Sequence, residues 1–292
     1  MTRDLDKHRH RKDLTFRQAE GIDPLPKILA YGELDSSIRR ALFNALWSAT
    51  QQEYSDWGYT SLGESVINIV LQEAFHLTVD DAIRIGSDYP LFIRKIKNTI
   101  LEGTWENCLE VCQVAARASM GSGIFISLIS EALDKRQSPY MLVDLEPWTI
   151  IPRGDENERT AFEENWAIIK ASSLEGAKTH LRKSAEALNK GDSRDAIREA
   201  IHAVEGTARI ITGNEKAKLG AALGLLEKDK GLHSALKAGF SSLYGYTSDE
   251  KGIRHALIEG DNANVGQDEA LFMFSACAAF VAYLARKYPE KV

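Results

Sequence analysis

The strongest constraint on the fold is a stripe of apolar residues that recurs at helical spacing in the second half of the chain. Its members are Ile197, Ile201, Val204, Ala208 and Ile211. This spacing places all of them on one face of an α-helix. Asp192 and Ser193 can cap that helix at its start, and Gly213 ends it. The sequence therefore predicts a long amphipathic helix with a buried apolar face.

Similar patterns on both sides extend this helix into a bundle. A preceding helix is predicted between Ser172 or Ser173 and Gly191, and further helices are predicted over 219–227, 233–244 and 268–287. In the last of these, residues 270–284 are apolar on nearly all sides. A helix of that kind must be covered all round, so it is expected either at the centre of the bundle or as half of an interface. These lengths and short connections predict an all-α bundle over 172–287.

The first half is also predicted to be helical, with one change of period. Tyr140-Met-Leu-Val143 and Trp148-Thr-Ile-Ile151 are short runs rich in β-forming residues, and they flank a turn that contains Pro147. This pattern is typical of a β-hairpin. The predicted fold class is therefore mainly α, with two domains. A helical domain with a small β-hairpin covers residues 1–155, and a helical bundle covers residues 156–292.

Composition and charge exclude several function classes. The formal net charge of −6 argues against broad, nonspecific DNA binding, although a local basic patch could still bind a phosphate. The longest apolar run, near the C-terminus, is interrupted by Ser275 and is short of the about 20 residues that a membrane span needs. Three cysteines and an N-terminal stretch without an apolar segment indicate a reduced, cytoplasmic protein. No cofactor and no metal site is predicted.

One segment concentrates residues that could act on a phosphate. Lys251, Arg254 and His255 follow a Ser-Asp turn between two predicted helices. Cleavage of RNA needs a group that exchanges a proton near neutral pH, together with a cation that stabilises the phosphorane. The segment offers both, so it is a candidate catalytic site. A solvated loop would have the same composition.

A second polar pattern runs along the predicted helix of the opening stripe. Arg198, His202, Glu205 and Arg209 fall at i, i+4, i+7 and i+11, about 110° from the apolar stripe. One interpretation is a solvated face with Arg–Glu pairs. The other is that His202 and Glu205 face the segment of Lys251 and His255 across the bundle.

The first half resembles a known family in the order of its elements. The segments Leu14-Thr-Phe-Arg-Gln-Ala-Glu-Gly-Ile-Asp-Pro-Leu-Pro26 and Glu33-Leu-Asp-Ser-Ser-Ile-Arg-Arg-Ala-Leu-Phe-Asn-Ala-Leu-Trp47 resemble the opening of the N-terminal domain of AbiJ-type abortive-infection proteins. The helix with Trp105 and the hairpin that opens at Tyr140 extend the resemblance over about 14–165. It implies a mainly helical accessory domain of a bacterial antiphage defence protein.

Residues 172–287 resemble a HEPN domain. The resemblance is carried by Glu199-Ala-Ile-His-Ala-Val-Glu-Gly-Thr-Ala-Arg209, Leu232-His-Ser-Ala-Leu236 and Leu243-Tyr-Gly-Tyr-Thr-Ser-Asp-Glu-Lys-Gly-Ile-Arg-His-Ala-Leu257. HEPN domains are helix bundles that often dimerise. Many cleave RNA without a metal, through an arginine and a histidine four to six residues apart. The resemblance implies RNA as a possible partner and a homodimer through the C-terminal domain, while the short apolar runs predict no membrane association.

The resemblance assigns a role to each candidate residue. His255 would be the general acid or base, Arg254 or Lys251 the phosphate-binding cation, and Glu205 or His202 an orienting partner. However, Arg254 and His255 are adjacent, and adjacent residues on a helix point about 100° apart. The alternative is therefore a non-catalytic HEPN-like dimer that binds RNA, a nucleotide or a partner protein.

Overall fold

The computed structural model divides the chain into two compact units. The structure describes residues 16–22, 29–55, 62–119, 123–135, 138–152, 156–246 and 266–292. One unit covers Met1–Leu142 and the other covers Val143–Val292. The division falls inside the first strand of the hairpin, whereas the sequence analysis placed the domain boundary between residues 155 and 156. Within the described residues the chain is mainly helical with one two-stranded antiparallel sheet, so the predicted fold class is confirmed.

The N-terminal unit consists of helices joined by short connections. They are α1 (Phe16–Ala19), α2 (Ser36–Ser55), α3 (Leu62–Glu73), α4 (Val79–Gly86), α5 (Tyr89–Glu102), α6 (Trp105–Ala118) and α7 (Gly123–Lys135). Asp35 caps the start of α2, because its Oδ1 accepts hydrogen bonds from the backbone N–H groups of Ser37 and Ile38, each at 2.8 Å. The apolar face of α2 then packs against α5 and α7.

Arg39 joins the start of α2 to the end of α5. Its Nη1 donates hydrogen bonds to the carbonyl oxygens of Ile100 and Gly103, at 2.8 and 2.9 Å. The last carbonyl groups of a helix lack partners within that helix, and a cation there also interacts favourably with the helix dipole. Arg39 therefore satisfies the C-terminal end of α5 while Ile38 beside it is fully buried.

The predicted hairpin is present. Strand β1 covers Tyr140–Asp144 and strand β2 covers Trp148–Pro152. The phenol of Tyr140 lies in the N-terminal unit, where it accepts a hydrogen bond from the backbone N–H of Gly32 at 2.9 Å and stacks on Trp105. Burial raises the pKa of this phenol above its ordinary value.

The C-terminal unit is a helix bundle. Its helices are α8 (Glu156–Ala171), α9 (Glu175–Asn189), α10 (Ser193–Thr212), α11 (Leu219–Lys230), α12 (Ser234–Tyr246) and α13 (Gln267–Lys287), followed by a short 3-10 turn at Pro289–Lys291. Helix α10 packs against α9, α11 and α13. The turn of β1–β2 is fastened to this bundle, because Nε1 of Trp166 donates to the carbonyl of Asp144 at 2.6 Å and Nε of Arg182 donates to that of Leu145 at 2.5 Å.

The predicted core face of α10 is confirmed. The five apolar residues of its stripe, from Ile197 to Ile211, are all at most 2% exposed. The predicted caps are also observed. The side chain of Asp192 accepts a hydrogen bond from the backbone N–H of Asp195 at 3.0 Å, and Gly213 adopts a left-handed conformation with φ of 69°. Glycine enters that region without the steric cost of a Cβ.

Helix α13 lies against α8, α9 and α10 with much of its surface covered. Met273, Cys277 and Val281 are at most 1% exposed, and Phe274 stacks on Phe162 with ring centroids 5.0 Å apart. These contacts agree with the prediction of a central helix. By length and composition α13 could also cross a membrane, and the buried core helix of a soluble protein has the same length and composition.

The cysteines are core side chains. Cys108, Cys112 and Cys277 are all free thiols and fully buried. A hydrogen bond with Cys108 and burial raise the pKa of the Cys112 thiol well above its usual range, and burial raises the pKa of Cys277 to about 12. Thiols of this kind are unreactive at neutral pH.

The buried stripe of α10 makes a quantitative prediction. We expect Ile201→Ala to lower the free energy of unfolding by about 2–5 kcal/mol, because it removes buried methyl groups and leaves a cavity. Ile210→Ala is the matched control, since Ile210 lies on the same helix but is 45% exposed. Urea denaturation followed by circular dichroism would measure both changes. Equal losses in the two variants would contradict the core assignment.

Candidate functional site

The candidate site lies on the antiparallel pair α9–α10, which a three-residue connection holds together. Residues 190–192 join the two helices, and Gly191 within them has φ of 70°. The facing surfaces carry small side chains such as Ala185, Ala196 and Ala200, all fully buried. Oγ of Ser184 donates a hydrogen bond to the carbonyl oxygen of Ala196 across the pair at 2.7 Å. Small residues let two helix backbones approach closely, so polar groups on the adjoining rim also come within contact distance.

Three polar side chains meet at that rim, one from α9 and two from α10. We call His180, Glu199 and His202 the His–Glu–His cluster. Nδ1 of His180 donates a hydrogen bond to Oε2 of Glu199 at 2.7 Å, and Nδ1 of His202 lies 3.9 Å from Oε1 of Glu199. The two imidazole rings meet edge to face with centroids 5.3 Å apart. Glu199 and His202 are three residues apart and therefore share a helical face.

The carboxylate of Glu199 is buried but stays ionised. Glu199 is only 7% exposed, and burial by itself disfavours its charged form. The hydrogen bond from His180 and the charges of His180 and His202 outweigh burial, so the pKa of Glu199 lies below its ordinary value. The two histidine side chains are each about one-third exposed, at 33% and 30%. In the cluster the carboxylate is therefore buried, and the two imidazoles are partly exposed to solvent.

One guanidinium adjoins the cluster. Nη2 of Arg198 lies 3.4 Å from Oε1 of Glu199 and also forms an ion pair with Asp195 one turn earlier on α10. The arginine side chain is 49% exposed, so much of it remains in contact with solvent. The site therefore offers two imidazoles, one carboxylate and one cation.

Glu205 is placed in a different environment from His202. It is 8% exposed, and its Oε2 accepts a hydrogen bond from the backbone N–H of Leu219 at 3.0 Å. Its Oε1 lies 2.5 Å from Nη2 of Arg209, whose Nε donates to the carbonyl oxygen of Ala217 at 2.7 Å. Glu205 thus caps the start of α11, where the N-cap residue Lys218 makes no side-chain cap of its own.

Among the residues named from the sequence, the structure places His202 in the cluster and Glu205 at the cap of α11. Lys251, Arg254 and His255 lie outside the described residues. No role was assigned to His180 or Glu199 from the sequence. The i, i+3 spacing of Glu199 and His202 was visible in the sequence and could have suggested a shared site. The position of His180 beside Glu199 depends on the register between α9 and α10, which cannot be read from the sequence.

The donor set of the cluster has a second chemical use. Neutral imidazole and carboxylate are ordinary ligands of divalent transition metals. One donor atom from each of His180, Glu199 and His202 can be chosen so that all three lie within 4.8 Å of one another. No metal site was predicted from the sequence, and His180 joins Glu199 and His202 only through the packing of α9 on α10.

Comparison with known proteins gives no relative to weigh against this geometry. The chain matches no family model, no curated protein and no solved structure. The resemblances to AbiJ-type and HEPN domains therefore stay predictions from the sequence.

The capping role of Glu205 can be tested by stability. We expect Glu205→Ala to cost about 1–3 kcal/mol, because it leaves the N–H of Leu219 and the guanidinium of Arg209 without their acceptor. Glu215→Ala is the control, since Glu215 is an exposed glutamate in the connection before α11. Chemical denaturation would compare both with the parent protein. A Glu205→Ala protein of unchanged stability would show that the cap contributes nothing.

Proposed function

We propose that the chain is an antiphage defence protein of the abortive-infection type, and that its C-terminal unit is a HEPN-like endoribonuclease that needs no metal for cleavage. The observation that supports this proposal is that His202, an orienting partner expected from the sequence, lies partly exposed in one polar group with His180 and Arg198 at the rim of a helix bundle. Proton-exchanging groups beside a cation are the chemical requirements for cleaving RNA. The sequence resemblances supply the biological context.

The reaction would proceed without an external nucleophile. A base removes the proton of the ribose 2′-OH, and the 2′ oxygen attacks the adjacent phosphorus. The bond from phosphorus to the 5′ oxygen breaks, and an acid protonates that leaving oxygen. The products are a 2′,3′-cyclic phosphate and a 5′-OH. In the proposal His255 is the general acid or base, and Arg254 or Lys251 stabilises the phosphorane. His202 orients His255.

A non-catalytic module is the second candidate, and one observation favours it. Glu205, a candidate orienting partner of His255, makes two structural interactions, with the start of α11 and with Arg209. The adjacency of Arg254 and His255 also departs from the spacing of the catalytic HEPN pattern. In this alternative the C-terminal unit dimerises and binds RNA, a nucleotide or a partner protein.

Cleavage of total RNA in the presence of EDTA tests the enzyme hypothesis. We expect the full-length protein to cleave with cyclic phosphate ends, and His255→Ala to lower the rate by about 10²–10⁴-fold, the usual contribution of general acid–base catalysis. Arg254→Ala should lower it more than Lys251→Ala, because a guanidinium can bind a phosphate through two hydrogen bonds.

The control for these variants is His233→Ala. His233 is an exposed histidine whose Nδ1 accepts a hydrogen bond from the backbone N–H of Ala235, so its loss should leave cleavage unchanged. If Lys251→Ala is the more damaging change, the cation is misassigned. If the parent protein binds RNA without cleaving it, the enzyme hypothesis is wrong and the binding module is retained.

The homodimer can be tested on α13. Phe272 is 58% exposed on a helix whose other large apolar side chains are buried or half-buried, which suits a contact with a second C-terminal unit. We expect light scattering at micromolar concentration to give a dimer for the parent protein and a monomer for Phe272→Asp. Ile83→Asp, at a 55% exposed position of α4, should leave the dimer intact. A strictly monomeric parent protein would eliminate the interface.

A further inference from the structure

We infer that His180, Glu199 and His202 form a binding site for one divalent transition-metal ion, with Zn²⁺ as the ion to test first. The inference goes beyond the proposed function, which uses no metal in cleavage. It rests on the identity, spacing and burial of three described side chains. Two imidazoles and one carboxylate form a donor set that proteins use for Zn²⁺ and for Fe²⁺.

The helical register brings the donors together. Glu199 and His202 form a Glu-x-x-His pair on one face of α10, a spacing that places metal ligands side by side in helix bundles. His180 approaches from α9 and contacts Glu199 at 2.7 Å. In a tetrahedral zinc site with ligands about 2.0–2.1 Å from the ion, neighbouring donor atoms are about 3.3 Å apart. Nδ1 of His180 lies 2.7 Å from Oε2 of Glu199, and Nδ1 of His202 lies 3.9 Å from Oε1, while one donor atom from each of the three residues can be chosen within 4.8 Å of the others.

The burial pattern suits an ion that enters from solvent. Glu199 is held at the buried floor, whereas His180 and His202 remain about one-third exposed. Three protein donors leave a further position for water, as in other three-ligand zinc sites. Binding would replace the proton that His180 shares with Glu199 by the ion. A bound ion would therefore link α9 to α10 at the rim, where their packing ends.

Arg198 sets a specific expectation about affinity. Its guanidinium lies 3.4 Å from Oε1 of Glu199 and would compete with a cation for that oxygen. Asp195 on the same helix pairs with Arg198 and can retain it when the carboxylate turns toward the ion. We therefore expect Arg198→Gln to bind the metal more tightly than the parent protein. A set of surface histidines without this geometry would show no such gain.

The test is metal binding by the full-length protein after chelator treatment and dialysis. Isothermal titration with Zn²⁺ and elemental analysis should give one ion per chain, and the ion should raise the thermal midpoint. His180→Gln, His202→Gln and Glu199→Gln should each weaken binding by more than about 100-fold, since losing only an outer partner of a ligand costs about 10–100-fold. His233→Gln should bind as the parent does.

Two further measurements keep the result decisive. A double variant, His8→Gln with His10→Gln, removes N-terminal histidines that could bind Zn²⁺ by themselves. If this double variant no longer binds Zn²⁺ while His180→Gln and His202→Gln still bind it, the inference is overturned. If the cluster variants unfold, the visible spectrum of the Co²⁺-loaded parent protein decides. Bands of nitrogen and oxygen ligation support the site, whereas thiolate charge-transfer bands would assign the metal to cysteines and overturn it.

None of these measurements uses RNA. Failure of the cleavage assay would leave a measured one-to-one metal affinity intact. Conversely, absence of metal binding would leave metal-independent cleavage by His255 untouched.

Discussion

The close packing of α9 on α10 is the constraint on which the C-terminal unit depends. Alanines line the contact, and the hydroxyl of Ser184 bonds to the backbone of α10. This hydrogen bond and the small buried side chains set the register between the two helices. That register places His180 beside Glu199. A shift of one helical position would rotate His180 by about 100° and would separate the two groups.

A buried carboxylate at the edge of an apolar core requires partners. Glu199 is almost fully buried, and an unpaired charge in that position would cost several kcal/mol. His180 supplies a hydrogen bond, Arg198 adds a positive charge, and the imidazole of His202 lies 3.9 Å from the carboxylate. The same arrangement that stabilises the carboxylate also concentrates groups that can transfer protons or bind an ion. The same interactions at this rim therefore stabilise the fold and provide the reactive groups.

The polar stripe of α10 has two structural roles, although its spacing is regular along the helix. Its first part, with Arg198 and His202, faces the rim shared with α9. Its second part, with Glu205 and Arg209, holds the start of α11 and the connection before it. The division arises because different neighbours cover successive turns of one helix. Neither of the two interpretations drawn from the sequence, a solvated face or a functional face, describes the whole stripe. Glu205 is buried, whereas His202 is partly exposed.

The sequence determined the elements, and the tertiary structure decided the site. Helical spacing predicted the buried stripe of α10 and a last helix covered on nearly all sides, and the short β-forming runs predicted the hairpin, because these patterns depend only on local geometry and on removing apolar surface from water. The cluster could not be predicted in the same way. His180 and Glu199 are separated by a turn and meet only through the alanine-lined packing of two helices, and the cap of α11 by Glu205 is equally nonlocal. Local pattern fixes which face of a helix is buried, but only the packing of helices decides which polar groups on their rims become neighbours.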